Sequence, residues 1–107
     1  MQRIAFLIRV RPEKLAEYLK LHNPIWPDLA AALKDAGIRN YSLWLGPDGM
    51  EFGYLECDDW QATCDYLAKS DVHTRWQQLM QNYLDTGTDS GQGGQPVRML
   101  EQVFMLE

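Results

Sequence analysis

Two prolines three positions apart, Pro24 and Pro27, divide the N-terminal half of this chain more sharply than any other feature. A residue that precedes proline is driven out of the α region, so a helix reaching Asn23 has to end there. A proline in the first turn of a helix forfeits no hydrogen bond, so Pro27 can open the next one. The stretch Tyr18-Leu19-Lys20-Leu21-His22-Asn23-Pro24-Ile25-Trp26-Pro27 therefore joins two helices. It gathers a tyrosine, a histidine and a tryptophan near one point. His22 falls at a helix C-terminus that the sequence stops abruptly, and it is the candidate centre of a site.

Hydrophobic spacing supplies the rest of the elements. Residues 3–11 alternate, with Ile4, Phe6, Ile8 and Val10 on one face, and predict a strand. Pro12 opens a helix to about His22. Leu15, Tyr18, Leu19 and His22 fall within roughly one 100° sector of it, the width of a core-facing stripe. Tyr18 and His22, four apart, are surface neighbours on that stripe. A second helix runs from about Trp26 to Ala36 on the stripe Leu29, Ala32, Leu33, Ala36, and Gly37 supplies the stop. Residues 40–45 form a strand with Tyr41, Leu43 and Leu45 on one face and Ser42 and Trp44 on the other. The turn Gly46-Pro47-Asp48-Gly49 returns it as a hairpin through Glu51–Cys57. Asp58 or Asp59 caps a third helix with Trp60, Cys64, Leu67 and Ala68 on one side. After a break at Ser70, a fourth helix carries Val72, Trp76, Leu79, Met80 and Tyr83. Residues 86–96 hold four glycines and no apolar anchor, and read as a long loop. Residues 97–106 predict a final strand, with Val103 and Met105 on one side and Phe104 and Leu106 on the other.

The order β-α-α-β-β-α-α-β reduces to βαββαβ when each helix pair is one broken crossover. That is the ferredoxin-like α+β arrangement, with helices on one face of an antiparallel sheet. A chain of 107 residues suffices for one core, so residues 1–107 are expected to form a single domain. The strands carry apolar side chains on both faces, and the second face needs a cover. The expected cover is the sheet of a second copy, giving a symmetric homodimer of the dimeric α+β barrel kind.

Composition removes several function classes. A net charge of -5, with basic residues scattered, argues against a nucleic-acid surface. Nothing approaches the roughly 18 apolar residues of a membrane span. The start Met1-Gln2-Arg3-Ile4-Ala5-Phe6 lacks a signal-peptide pattern, so the expected location is cytoplasmic. Cys57 and Cys64, seven apart, match neither a redox pair nor a zinc knuckle and read as packing thiols. There is no P-loop, dinucleotide fingerprint or nucleophile motif, and no close pair of ligating histidines, so no cofactor and no metal are expected. What remains is His22 among Tyr18, Tyr41, Trp76 and Trp26. Aromatic faces stack on the C–H faces of sugars, and tyrosine and histidine tips bond hydroxyls, so a neutral monosaccharide is the expected ligand. Packing competes at each position. A lone histidine on an apolar stripe is commonly a core residue, Tyr41 and Trp76 can serve the core, and Trp26 can staple the second helix. His73 and Arg75 read as solvated surface residues.

The run Tyr18-x-x-x-His22-Asn23-Pro24-Ile25-Trp26-Pro27 resembles the signature of the L-rhamnose mutarotase family. Asn40-Tyr41, Asp71-Val72, Arg75-Trp76 and Glu101-x-Val103-Phe104 resemble further blocks, in order, over essentially the whole chain. The resemblance implies a cofactor-free, dimeric enzyme that interconverts the α and β anomers of L-rhamnose. It implies His22 as the catalytic proton donor and substrate binding by Tyr18, Tyr41 and the Trp76 region, where Gln77 is included. Gln77 departs from the second tryptophan of the enterobacterial members, which leaves L-fucose or another 6-deoxy-L-hexose open. Anomerisation needs a group that gives and takes a proton near neutral pH, which suits histidine. Two other classes stay open: another enzyme of the dimeric α+β barrel class, monooxygenase-like or haem-binding, and a non-catalytic sugar-binding module.

Overall fold

The computed structural model describes residues 1–84 and 97–106. Its elements are β1 (Gln2–Arg9), α1 (Leu15–Leu21), α2 (Pro27–Asp35), β2 (Arg39–Leu45), β3 (Met50–Cys57), α3 (Trp60–Ala68), α4 (Asp71–Met80) and β4 (Val97–Leu100). The four strands form one antiparallel sheet in the order β2-β3-β1-β4, the ferredoxin-like order expected from the sequence.

Alternation decides which face each strand residue joins. In β1, Phe6 and Ile8 face the helices, followed beyond the strand by the fully buried Val10. Opposite Phe6 stands Gly53, where a Cβ would overlap the phenylalanine ring, so only glycine fits there. Leu55 and Cys57 continue that face of β3 and are almost fully buried. The buried residues form two clusters bridged by Ile8 and Leu33. One, under α3, holds Phe6, Ala36, Ile38, Leu55, Cys57 and Leu67. The other, under α1 and α4, holds Val10, Tyr18, Leu29, Trp76, Met80 and Leu84. Cys57 and Cys64 are free thiols, Cys57 within the first cluster.

The helix boundaries follow local chemistry. Pro12–Lys14 forms a 3-10 turn before α1, so the helix expected from Pro12 is tightened in its first turn. Pro27 occupies the first turn of α2, and Gly37 at φ 94 closes its C-terminal end. The Asp59 side chain accepts from the Ala62 N–H and caps α3, and Ser70 Oγ accepts from the His73 N–H and caps α4. On α3, Thr63 is buried and Ala68 exposed, the reverse of the polarity expectation. The Thr63 hydroxyl is accommodated because it donates to the Ala36 carbonyl at 2.7 Å.

The last strand is shorter than expected. Pairing with β1 stops at Leu100, opposite Ala5, and residues 101–106 take no regular structure. Val103, Phe104 and Leu106 are 88%, 77% and 84% exposed, because one chain offers them no surface. The sheet face away from the helices is also uncovered: Trp44, Phe52 and Leu100 lie on it, all exposed. The glycine-rich stretch 86–96 lies outside the described residues. No helix among the described residues is long and apolar enough to cross a membrane.

Candidate functional site

Between the α1–α2 junction, α4 and the β2–β3 hairpin lies a cavity of about 470 Å³, within the ordinary size range of small-molecule sites. Its apolar wall comes from Leu19, Ile25, Leu29, Leu33, Leu43 and Leu45. Its polar groups are His22, Asn23, Tyr41, Glu51, His73 and Gln77, and Trp76 supplies a large flat side chain.

His22 is placed as the prolines require. It is the C-cap residue of α1, and its backbone N–H bonds back to Leu19 while the Asn23 N–H bonds to Lys20. The Asn23–Pro24 peptide bond is cis. The imidazole turns back over its own helix, with Nδ1 2.9 Å from the Tyr18 carbonyl oxygen. A carbonyl only accepts, so Nδ1 carries a proton and donates. Nε2 is left as the nitrogen with proton-exchange capacity toward the cavity that His22 lines. The ring is held on two sides, 4.4 Å between centroids from Tyr18 and 5.2 Å, edge to face, from Trp76.

Tyr18, 2% exposed, lies beneath the cavity and outside its lining. Its hydroxyl donates to Glu51 Oε1 at 2.6 Å. Burial, then the Glu51 bond and charge, push its pKa far above the usual phenol value. Tyr18 thus holds two cavity residues, His22 through its backbone carbonyl and Glu51 through its hydroxyl.

Tyr41 lines the cavity with Leu43 and Leu45, the face read from the sequence. Although 41% of the residue is exposed, burial of its hydroxyl, followed by the charge of Glu51, pushes its pKa up to about 12. At neutral pH it is a neutral donor and acceptor. Trp76 is buried and also lines the cavity, so core packing and ligand contact coexist there. Trp26 stands edge to face against Trp76 at 5.0 Å and braces it from outside the lining. Gln77, on the exposed side of α4, reaches the cavity and lies 3.2 Å from His73 Nε2.

His73 corrects the sequence expectation. It is half-buried and lines the cavity, and burial lowers its pKa. Arg75 is exposed as expected, paired with Asp71 at 3.1 Å and with Asp28 at 3.9 Å. Among the described residues, no group of three or more His, Cys, Asp and Glu side chains is gathered closely enough to hold a metal ion.

Sequence comparison meets this geometry from another side. The family model for L-rhamnose mutarotase matches residues 3–106. The chain belongs to the L-rhamnose mutarotase family. Among its relatives, an L-rhamnose mutarotase of Acidiphilium cryptum is 40% identical over 107 residues, covering 99% of each chain. One of Pectobacterium atrosepticum is 36% identical, with both chains fully covered. The crystal structure of L-rhamnose mutarotase from Formosa agariphila, 24% identical, overlays over all of both chains with a TM-score of 0.80 and has the same fold.

In this member of the mutarotase family, sequence reasoning missed two cavity groups, Glu51 and His73. A signal for Glu51 was present. Positions 51, 53, 55 and 57 alternate onto the helix-facing side of β3, and Glu51 is the one charged residue among Glu, Gly, Leu and Cys. An ionisable group on a core face marks either a satisfied structural bond or a site. His73 gave no such signal. It lies beside the Val72-Trp76 stripe, and a helical wheel does not show that this side of α4 borders the cavity.

Proposed function

We propose that this protein interconverts the α and β anomers of L-rhamnose, or of a closely related 6-deoxy-L-hexose, with His22 as the acid–base group. The observation that carries the reading is the His22 imidazole, its Nδ1 proton committed to the Tyr18 carbonyl and its other nitrogen left to a cavity of monosaccharide scale. Family membership supports it along nearly the whole chain.

Ring opening breaks the bond between the anomeric carbon and the ring oxygen. Protonated His22 gives its Nε2 proton to that oxygen while the anomeric hydroxyl passes its proton to a solvent water and the carbonyl forms. The aldehyde turns about the C1–C2 bond, and the reverse proton movements close the ring on the other face. Positioned acid–base catalysis of this kind is typically worth about 10²–10⁴-fold. Trp76 offers an aromatic surface to the C–H side of the sugar, and Tyr41 and Gln77 offer hydrogen bonds at the rim. Tyr18 acts through the groups it holds, and Trp26 acts through Trp76.

The working unit in this reading is a homodimer. Its support is the uncovered sheet face at Trp44, Phe52 and Leu100, together with the uncovered apolar tail at Val103, Phe104 and Leu106. Exposed apolar residues gathered on one sheet face mark an interaction surface. Sedimentation equilibrium of the full chain should give twice the 12.4 kDa of one copy, and a single-copy mass at micromolar concentration would remove the dimer from the proposal. A cytoplasmic setting belongs to the same reading, supported by the free thiols of Cys57 and Cys64.

The activity is tested by saturation transfer between the anomeric protons of L-rhamnose, L-fucose and D-glucose. Wild-type protein is expected to accelerate exchange for a 6-deoxy-L-sugar above the others. Exchange at the buffer rate for every sugar would sink the reading.

A further inference from the structure

We infer that Glu51 is the specificity-determining residue of the cavity: its second carboxyl oxygen takes a hydrogen bond from one sugar hydroxyl, and a ligand with no donor there is rejected. The inference rests on the monosaccharide reading above and adds to it a residue and a selection rule.

Glu51 is 3% exposed, yet it forms part of the cavity lining. Both facts follow from β3, where its side chain points between the sheet and α1 in register with Leu45 of β2. Oε1 is taken by the Tyr18 hydroxyl at 2.6 Å. Among the described residues no protein donor bonds to Oε2, and no buried side-chain oxygen is left both sealed and unbonded. The second oxygen therefore opens on the cavity. Leu29, Leu33, Leu43 and Leu45 belong to the same wall and offer it nothing.

An acceptor in such surroundings discriminates more by what it refuses than by what it binds. A ligand entering the cavity displaces water from Oε2. A sugar hydroxyl restores the lost donor, while a methyl, a hydrogen or a fluorine leaves the oxygen unpaired in an apolar wall. Sites built to bond a hydroxyl reject analogues lacking it by up to about 10⁴–10⁵-fold, whereas purely apolar pockets separate neighbours by only about 10–200-fold.

Tyr18 makes the selection rigid. It is buried, and its hydroxyl fixes one oxygen of Glu51 while its carbonyl fixes Nδ1 of His22. The carboxyl group that reads a hydroxyl and the imidazole that moves the proton are thus held by the side chain and the backbone of one residue. A sugar that satisfies Glu51 is placed relative to His22 by the same residue.

The test uses the full chain with L-rhamnose and its 2-, 3- and 4-deoxyfluoro analogues, since fluorine keeps the size of a hydroxyl and cannot donate. Anomer-exchange kcat/KM and Kd from NMR shift titration are measured for wild type, Glu51→Leu and the double variant Tyr18→Phe with Glu51→Leu. The double variant removes both polar partners, so no buried hydroxyl is stranded and folding is protected. Fluorine alters intrinsic ring opening too, so the readout is the change in each analogue's penalty between wild type and variant. The expected result is one analogue penalised at least about 10²-fold in wild type, with that excess falling to within about threefold in both variants. Equal penalties in wild type and variants, or no analogue singled out by wild type, would overturn the assignment. If wild type accelerates no sugar, the mutarotase reading fails, and the Kd comparison alone decides Glu51: the same single-position pattern upholds it and a flat pattern removes it.

Discussion

The two halves of the core are built from the same sheet and do different work. Along the helix-facing side of β3, Cys57 and Leu55 belong to the cluster under α3, Gly53 makes room for Phe6, and Glu51 reaches the cavity. Within about four alternate positions the strand passes from packing to chemistry. The α3 end is apolar apart from Thr63, whose single hydroxyl is satisfied by a carbonyl. At the α1 end, Tyr18, His22, Trp76 and Glu51 are joined by hydrogen bonds and ring contacts. Polar groups enter this interior where a buried partner meets at least one of their bonds, and the bond left over is the one available to a ligand.

Substitutions at the two ends should separate stability from activity. The largest stability loss is expected for Leu55→Ala, 2% exposed in the α3 cluster; truncations of this kind cost about 2–5 kcal/mol. Chemical denaturation reads that loss, while anomer exchange per folded molecule should stay at the wild-type rate. An equal loss of exchange would show that the two ends are not separable.

Tyr18→Phe comes next. It removes the protein donor to Glu51 and leaves a buried carboxyl oxygen bare, a loss of about 1–3 kcal/mol. It should also move Glu51 further upward, because the tyrosine bond is the main influence that lowers a carboxyl already raised by burial. Carbon-detected NMR titration of the Glu51 side chain in both proteins checks the direction. His22 keeps its bond to the Tyr18 carbonyl in this variant, so exchange should fall less than on loss of the imidazole.

The smallest effect is that of His73 on pH dependence. Burial holds its pKa below the ordinary 6.5. A depressed histidine contributes stability that is present above its unfolded value and is lost as pH falls through the folded one. Thermal melting should therefore weaken more in wild type than in His73→Gln as pH drops below about 6.5. A variant whose acid-side slope matches wild type would place His73 outside this linkage.

Much of this was readable from the sequence, for identifiable reasons. Pro24 and Pro27 fixed the α1–α2 junction because proline acts on the backbone locally, and His22 follows from that. Tyr41 and Trp76 followed from period two and period 3.6. The end of β4 at Leu100 was not readable, since Val103, Phe104 and Leu106 alternate as a strand would and only the absence of a neighbouring strand in one chain leaves them unpaired. Tyr18 was legible as a neighbour of His22, but its placement beneath the lining was not, because a helical wheel gives the side and not the depth. Glu51 lies 29 positions from His22 in sequence, and only the pairing of β2, β3 and β1 brings it there.

The most direct measurement is anomer exchange of L-rhamnose by saturation transfer with equal concentrations of wild type and His22→Ala, each melted separately to confirm folding. Wild type should accelerate exchange, and the variant should lose about 10²–10⁴-fold of that rate while melting close to wild type, since His22 is only partly buried. A folded His22→Ala protein exchanging anomers at the wild-type rate would contradict the assignment of the imidazole as the group that moves the proton.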